Sequence, residues 1–207
     1  MKRTSIGILL SGRGSDAMAL IRAAEDPSYP ARIALVMSNR PDAPGLQKAK
    51  AAGIATGAVD HRPFGADREA HERAMDAGLR EAGVEFVALA GYMRILTPYF
   101  VGAWAGRMIN VHPSLLPLFP GLHTHRQALA AGVKIHGCSV HWVSQSVDAG
   151  PLIGQAAVPV LPGDDEESLA ARVLAAEHRL FPACLAAAVG GETHSASTDR
   201  MLINPEA

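Results

Sequence analysis

The chain has 207 residues, of which 48% are hydrophobic and 19% charged, a balance typical of a globular protein and not of a disordered one. The formal net charge is −1, so the sequence lacks the basic footprint of nucleic-acid binding and we expect no such partner. Cys138 and Cys184 lie in apolar sequence and are predicted to be free thiols. The apolar run near the N-terminus is too short for a signal peptide or a membrane span, so we expect a cytoplasmic protein without membrane contact.

The first part of the chain alternates between strands and helices. Continuous apolar runs predict buried strands over residues 6–10, 32–37, 54–59, 84–90 and 107–111. Helical spacing and stop signals predict helices over residues 15–25, 44–52 and 67–82, and a short helix capped by Thr97 with Pro98 at its first position. This alternation predicts a Rossmann-like α/β fold, with a mainly parallel sheet covered by helices on both faces.

The pattern changes after a predicted helix over residues 124–131. Two strand-like runs, residues 138–143 and 152–160, follow without a helix between them and predict a C-terminal antiparallel hairpin. A last helix is expected from about Asp164, with Glu167 as its capping-box partner. No linker or repeat interrupts the chain, so we predict one domain over residues 1–190, followed by a polar tail over residues 191–207.

A glycine-rich segment, residues 11–17, joins the first strand to the first helix. Free backbone N–H groups and the helix dipole make such a turn a seat for a phosphate. The segment also satisfies the loose dinucleotide pattern G-x-G-x-x-A, with Gly12, Gly14 and Ala17. No acidic residue ends the second strand, although Arg40 is placed to hold a 2′-phosphate. An NADP-dependent oxidoreductase is therefore one alternative.

Asn110 and His112 lie two residues apart where a predicted strand ends, so both side chains are expected on one face. Pro113 favours an extended backbone at His112. An amide donor and an imidazole at a strand end, before a rigid loop, are typical of a catalytic site. Asp148, in the predicted hairpin loop, is a candidate partner of His112, although a turn aspartate also accounts for it.

The other histidines receive structural interpretations. His141 is predicted to be a satisfied core residue, and His61, His71 and His194 are predicted to be solvated. A zinc site is conceivable because several histidines are close in sequence: His112, His123, His125, His136 and His141. The usual zinc spacings are absent, so we expect no metal.

Together these segments resemble one family. The matching segments are residues 11–15 (SGRGS), 89–96 (LAGYMRIL), 110–117 (NVHPSLLP), 120–129 (PGLHTHRQAL), 137–141 (GCSVH) and 148–151 (DAGP). They are similar to the phosphoribosylglycinamide formyltransferases, folate-dependent enzymes of purine synthesis, from about residue 4 to residue 189. The resemblance implies formyl transfer from 10-formyltetrahydrofolate to the amine of 5′-phosphoribosylglycinamide (GAR), without a metal, and is compatible with a homodimer.

The resemblance also implies roles for particular residues. Asn110, His112 and Asp148 would form the catalytic set. The GAR-binding residues would be Gly14, Ser15, Asp16 and Glu177. The folate-binding residues would be Arg68, Met93, Arg94, Ile95, Leu96, Asn110, Ser144, Val147 and Asp148.

Three positions depart from the family pattern. Asp16 replaces a usual Asn and would repel a phosphate, Ala149 replaces a common Gly, and Leu118 stands where some members have a basic residue. Two related enzymes are alternatives. A methionyl-tRNA formyltransferase would need an additional C-terminal tRNA-binding domain, and a formyltetrahydrofolate hydrolase would need an N-terminal regulatory domain.

Overall fold

A computed structural model describes residues 2–190 of the chain. Its strands are β1 (Thr4–Leu10), β2 (Ala31–Ser38), β3 (Thr56–Ala58), β4 (Phe86–Leu89), β5 (Met108–His112), β6 (Ile135–Trp142) and β7 (Leu152–Pro159). Its helices are α1 (Ser15–Ala24), α2 (Pro44–Ala51), α3 (Arg68–Glu81), α4 (Pro98–Ala103), α5 (Thr124–Ala130) and α6 (Glu166–Val189), with a short 3-10 turn at Arg62–Phe64. The predicted tail, residues 191–207, lies outside the described residues.

The strands form one sheet in the order β3-β2-β1-β4-β5-β6-β7. The first five strands pair in parallel, whereas β6 pairs antiparallel with both β5 and β7. The predicted Rossmann-like sheet with a C-terminal antiparallel hairpin is therefore confirmed.

Two hydrophobic cores cover the two faces of the sheet, as expected for strands buried on both sides. Residues of α1, α2 and α6, including Leu20, Leu46 and Leu180, pack on one face. Residues of α3 and α4, including Leu79 and Phe100, pack on the other. Within residues 2–190, no helix combines the length and the hydropathy needed to cross a bilayer.

The start of α6 corrects the predicted capping box. Asp165, not Asp164, is the N-cap residue, and its carboxylate accepts a hydrogen bond from the Ser168 N–H, so Glu167 is not the partner. The physical reason is that Asp164 already binds the guanidinium of Arg172 at 2.7 Å and the N–H of Leu161 at 2.7 Å. The helix therefore begins one residue later than expected.

One other local prediction was wrong. Strand β6 begins at Ile135, three residues before the predicted Cys138. Thr97 is the N-cap residue of α4, as predicted, although its side chain makes no cap hydrogen bond. Its hydroxyl donates to the Glu72 carboxylate instead, because that buried carboxylate lies directly beside it.

Candidate active site

Strand β5 places the side chains of Asn110 and His112 on the same face of the sheet. Ile109 and Val111 belong to the core beneath α1 and α6. Because side chains alternate along a strand, Asn110 and His112 lie on the opposite face. Asn110 is half-buried, and His112 is only 6% exposed.

Asp148 reaches His112 from the loop between β6 and β7. Its Oδ2 lies 3.4 Å from His112 Nδ1 and accepts a hydrogen bond from the Gly121 N–H at 2.9 Å. Asp148 has a φ of 52°, in the left-handed region that non-glycine residues seldom adopt. The structure thus brings together three residues that are separated by up to 38 positions in the sequence.

Both nitrogens of the His112 ring face oxygen acceptors. Nδ1 faces the Asp148 carboxylate, and Nε2 lies 3.1 Å from the main-chain oxygen of Phe119. A carbonyl oxygen only accepts hydrogen bonds, so Nε2 carries a hydrogen and donates a hydrogen bond to Phe119 O. A ring protonated on both nitrogens satisfies both oxygens at once.

His141 is a further member of this cluster, and its contacts were missed from the sequence. It pairs with Asn110 across β5 and β6, and its Nε2 lies 3.2 Å from Asn110 Nδ2 and 3.8 Å from Asp148 Oδ1. The prediction of a buried, satisfied histidine is right, since His141 is 3% exposed and its Nδ1 lies 3.0 Å from Trp142 O. Burial lowers the pKa of His141 and favours its neutral form. Only the strand register, which the pattern does not give, reveals the contact with Asn110.

The glycine-rich segment packs closely on α2. Gly14 has a φ of 69°, and a Cβ there would lie 2.7 Å from the Gly45 Cα, so no other residue fits without rearrangement. The Gly45 N–H also donates to Gly12 O at 3.0 Å. No side chain caps the N-terminus of α1, which leaves its first N–H groups for an anion.

A cavity of about 760 Å³ opens beside this segment, outside the carboxyl ends of β1, β2 and β4. This is the place where the strand order reverses and where open α/β sheets bind ligands. It is lined by Gly14, Ser15 and Asp16 of the predicted GAR set, and by Met93 and Arg94 of the predicted folate set. The two predicted ligand sites therefore meet in one groove.

Buried hydrogen bonds hold the segment that follows β4. Ser11 Oγ accepts from the Met93 N–H at 2.8 Å and donates to Asn39 Oδ1 at 2.6 Å. At the far end of the segment, the Glu72 carboxylate accepts from the Thr97 N–H at 2.9 Å. Residues 93–96 are thus fixed at both ends.

The remaining predicted folate residues do not line this cavity. Ile95 and Val147 are apolar side chains that are 61% and 56% exposed, and Met93, which does line the cavity, is 66% exposed. Large apolar side chains that stay exposed are available for contact with a ligand. Arg68 is exposed at the start of α3, Leu96 is half-buried, and Ser144 donates to Ser146 O at 3.0 Å.

Asp16 and Glu177 are buried carboxyl groups on α1 and α6. Burial raises the pKa of Asp16 to about 6, and burial together with the charge of Asp16 raises the pKa of Glu177 well above its ordinary value. Asp16 Oδ1 lies 3.6 Å from His178 Nε2, and both atoms are buried without a hydrogen-bond partner among the described residues. Such unsatisfied groups call for a ligand or a proton.

Two other interpretations of the sequence change in the structure. His71 is not solvated: it is completely buried, and its Nε2 lies 2.9 Å from Val59 O. Arg40, the candidate for a 2′-phosphate, pairs with Asp42 at 3.0 Å. In the described part of the chain, no group of three or more His, Cys, Asp or Glu residues is arranged to hold a metal ion.

The sheet, the groove and the polar cluster on β5 define a formyl transferase. The formyl transferase domain family matches residues 4–185, so the chain belongs to that family. It is 47% identical to the phosphoribosylglycinamide formyltransferase of Escherichia coli over 86% of this chain and 84% of the relative. The crystal structure of phosphoribosylglycinamide formyltransferase from Brucella melitensis superposes with a TM-score of 0.87 at 52% identity, covering 94% of this chain and all of that one. The resemblance inferred from the sequence is thereby confirmed.

Some relatives are much longer. The trifunctional purine biosynthetic protein adenosine-3 of Drosophila melanogaster is 46% identical over 99% of this chain, but the chain spans only 15% of its length. The similarity therefore concerns one part of that protein.

Proposed function

We propose that the chain transfers the formyl group of 10-formyltetrahydrofolate to the amine of GAR, in the synthesis of purines. The observation that carries this proposal is the meeting of Asn110, His112 and Asp148 in one cluster. A cavity lined by Gly14, Ser15 and Asp16 of the predicted GAR set and by Met93 and Arg94 of the predicted folate set supports it. Relatives of similar length are named phosphoribosylglycinamide formyltransferase, which supports the same substrate.

In the proposed reaction the GAR amine attacks the formyl carbon, and a new C–N bond forms as the formyl C=O becomes a C–O⁻. The Asn110 amide and the protonated His112 ring donate hydrogen bonds to this oxygen. Without substrate, His112 Nε2 donates a hydrogen bond to Phe119 O. In the reaction the formyl oxygen replaces Phe119 O as the acceptor of this hydrogen bond. Asp148 stabilises the charged ring and fixes its orientation.

The tetrahedral intermediate then collapses. A proton leaves the attacking nitrogen and reaches N10 of the folate through His112 or a bound water. The C–N10 bond breaks, the C=O re-forms, and formyl-GAR and tetrahydrofolate leave. No covalent bond to the protein is needed.

The groove accommodates the two substrates from opposite sides. The uncapped N-terminus of α1, with Gly14 and Ser15, holds the GAR phosphate, and Glu177 lies on the ribose side. The exposed apolar side chains of Met93, Ile95 and Val147 contact the folate, and its other contacts come from Arg68, Arg94, Leu96, Asn110, Ser144 and Asp148.

An assay of the purified protein with 10-formyltetrahydrofolate tests this function. With GAR as the second substrate, we expect the absorbance change that accompanies release of tetrahydrofolate. We expect no absorbance change without GAR, or when methionyl-tRNA replaces GAR. Release without an amine would indicate a hydrolase, and release with methionyl-tRNA would indicate the tRNA enzyme. NADP binding without formyl transfer would instead indicate that the glycine-rich segment binds a dinucleotide.

A further inference from the structure

His141 lies between the main-chain oxygen of Trp142 and the side chain of Asn110, in a chain of three polar groups. The main-chain oxygen of Trp142 lies 3.0 Å from His141 Nδ1. Because this oxygen only accepts, Nδ1 carries the proton of the neutral ring. The other nitrogen, Nε2, is then left with a lone pair and without a hydrogen.

The lone pair of His141 Nε2 faces the side chain of Asn110 at 3.2 Å. An amide nitrogen donates to that lone pair, whereas an amide oxygen in the same place would be repelled by it. The Asn110 side chain therefore keeps its nitrogen towards β6. One N–H is used by His141, and the other has no hydrogen-bond partner within residues 2–190.

We propose that His141 is a positioning residue, whose unprotonated Nε2 fixes the Asn110 amide so that its second N–H is free for the formyl oxygen. The proposal rests on the function proposed above, in which that N–H stabilises the oxyanion. A reversed amide would present an oxygen to the developing negative charge and would repel it.

The surroundings of His141 support this role. Two titratable groups act on the ring, His112 from β5 and Asp148 from the loop after β6. If the ring were charged, Nε2 would carry a hydrogen and would donate a hydrogen bond to Asp148 Oδ1, which lies 3.8 Å away. The Asn110 amide would then lose Nε2 as its acceptor. Burial of the ring, which is 3% exposed, keeps it neutral and prevents this exchange.

Two substitutions of His141 distinguish the effect of losing the acceptor atom from the effect of changing the size of the side chain. In His141→Gln the amide oxygen reaches the position of Nε2 and accepts from Asn110, whereas the shorter side chain of His141→Asn reaches only as far as Nδ1. We expect kcat to fall about 10- to 100-fold in His141→Asn, with little change in KM, and to stay close to that of the parent in His141→Gln. Thermal unfolding of both variants shows the cost of the substitution to the fold.

A double-mutant cycle distinguishes positioning from a structural role. In an Asn110→Ala background, His141→Asn should cause no further loss of kcat, because the group that it positions is gone. Equal losses in the two His141 variants, or losses that multiply with Asn110→Ala, would overturn the proposal.

Nitrogen-15 NMR of the unliganded protein tests the proposal independently of turnover. We expect His141 to carry its proton on Nδ1, and the Asn110 side-chain amide signal to move in His141→Asn but not in His141→Gln. A proton on Nε2 overturns the proposal. If the parent protein shows these signals but transfers no formyl group to GAR, the proposed function fails while the Asn110–His141 contact stands.

Discussion

Two clusters of polar side chains differ in how their charges are balanced. In the β5–β6 cluster (Asn110, His112, His141 and Asp148) each side chain faces a complementary atom at 3.1–3.4 Å. In the α1–α6 pair (Asp16 and Glu177) burial raises the pKa of both carboxyl groups, and one oxygen has no partner in the described residues. The first arrangement holds a fixed geometry for chemistry, and the second leaves room for a ligand or a proton.

The β5–β6 cluster should be the more sensitive to substitution. His112→Ala removes both the proposed donor to the formyl oxygen and the partner of Asp148. We expect kcat to fall about 100- to 1000-fold, because one oxyanion donor is lost. Steady-state kinetics measure the effect, and thermal unfolding shows whether the fold is intact. An unchanged kcat would remove His112 from the mechanism.

Asp148→Asn isolates the role of charge in the same cluster. Asparagine has the same shape, tolerates the left-handed backbone at this position and still accepts from the Gly121 N–H. We expect a kcat about 10- to 100-fold lower, because the charged form of His112 loses its counter-ion. If the variant keeps full activity, the shape of the loop and not the carboxylate is what matters.

The α1–α6 pair should instead affect substrate binding and its dependence on pH. The pKa of Asp16 is raised to about 6, so this carboxyl is neutral below that pH and charged above it. In the proposed site, a charged Asp16 would repel the GAR phosphate. At about pH 8, Asp16→Asn should lower the KM for GAR about fivefold, whereas at about pH 5 it should change nothing. The same gain at both pH values would show that charge is not the cause.

The smallest effect is expected from the hydrogen bonds of Ser11, which connect the end of β1 to the segment that follows β4. Ser11→Ala removes the acceptor of the Met93 N–H and the donor to Asn39. Loss of these two hydrogen bonds should raise the KM for the folate donor about two- to fivefold and leave kcat nearly unchanged. Titration of folate by fluorescence checks the change in affinity, and an effect on kcat alone would contradict it.

The comparison also shows what the sequence could predict. Alternation of apolar strands and helices was enough for the parallel sheet, and the two-residue period of β5 placed Asn110 and His112 on one face. The contact of Asp148 with His112 depends on the path of a loop with a positive φ, which no local pattern encodes. The contact of His141 with Asn110 depends on the register of β5 and β6.

Two predicted helix caps were altered by the same physical cause. Thr97 and Asp164 both have side chains that favour helix caps, but buried or charged neighbours compete for them. Glu72 takes the hydroxyl of Thr97, and Arg172 takes the carboxylate of Asp164. Thr97 keeps the predicted N-cap position of α4 but not a side-chain cap bond, whereas Asp165 takes the N-cap position predicted for Asp164.

The most direct test of the account is single-turnover formyl transfer by Asn110→Asp. This substitution keeps the size of the side chain and replaces the proposed donor to the formyl oxygen by a negative charge. With both substrates bound at saturation, we expect the rate of the chemical step to fall about 100- to 1000-fold. A rate equal to that of the parent would contradict the central claim, that the Asn110 amide stabilises the transition state of formyl transfer.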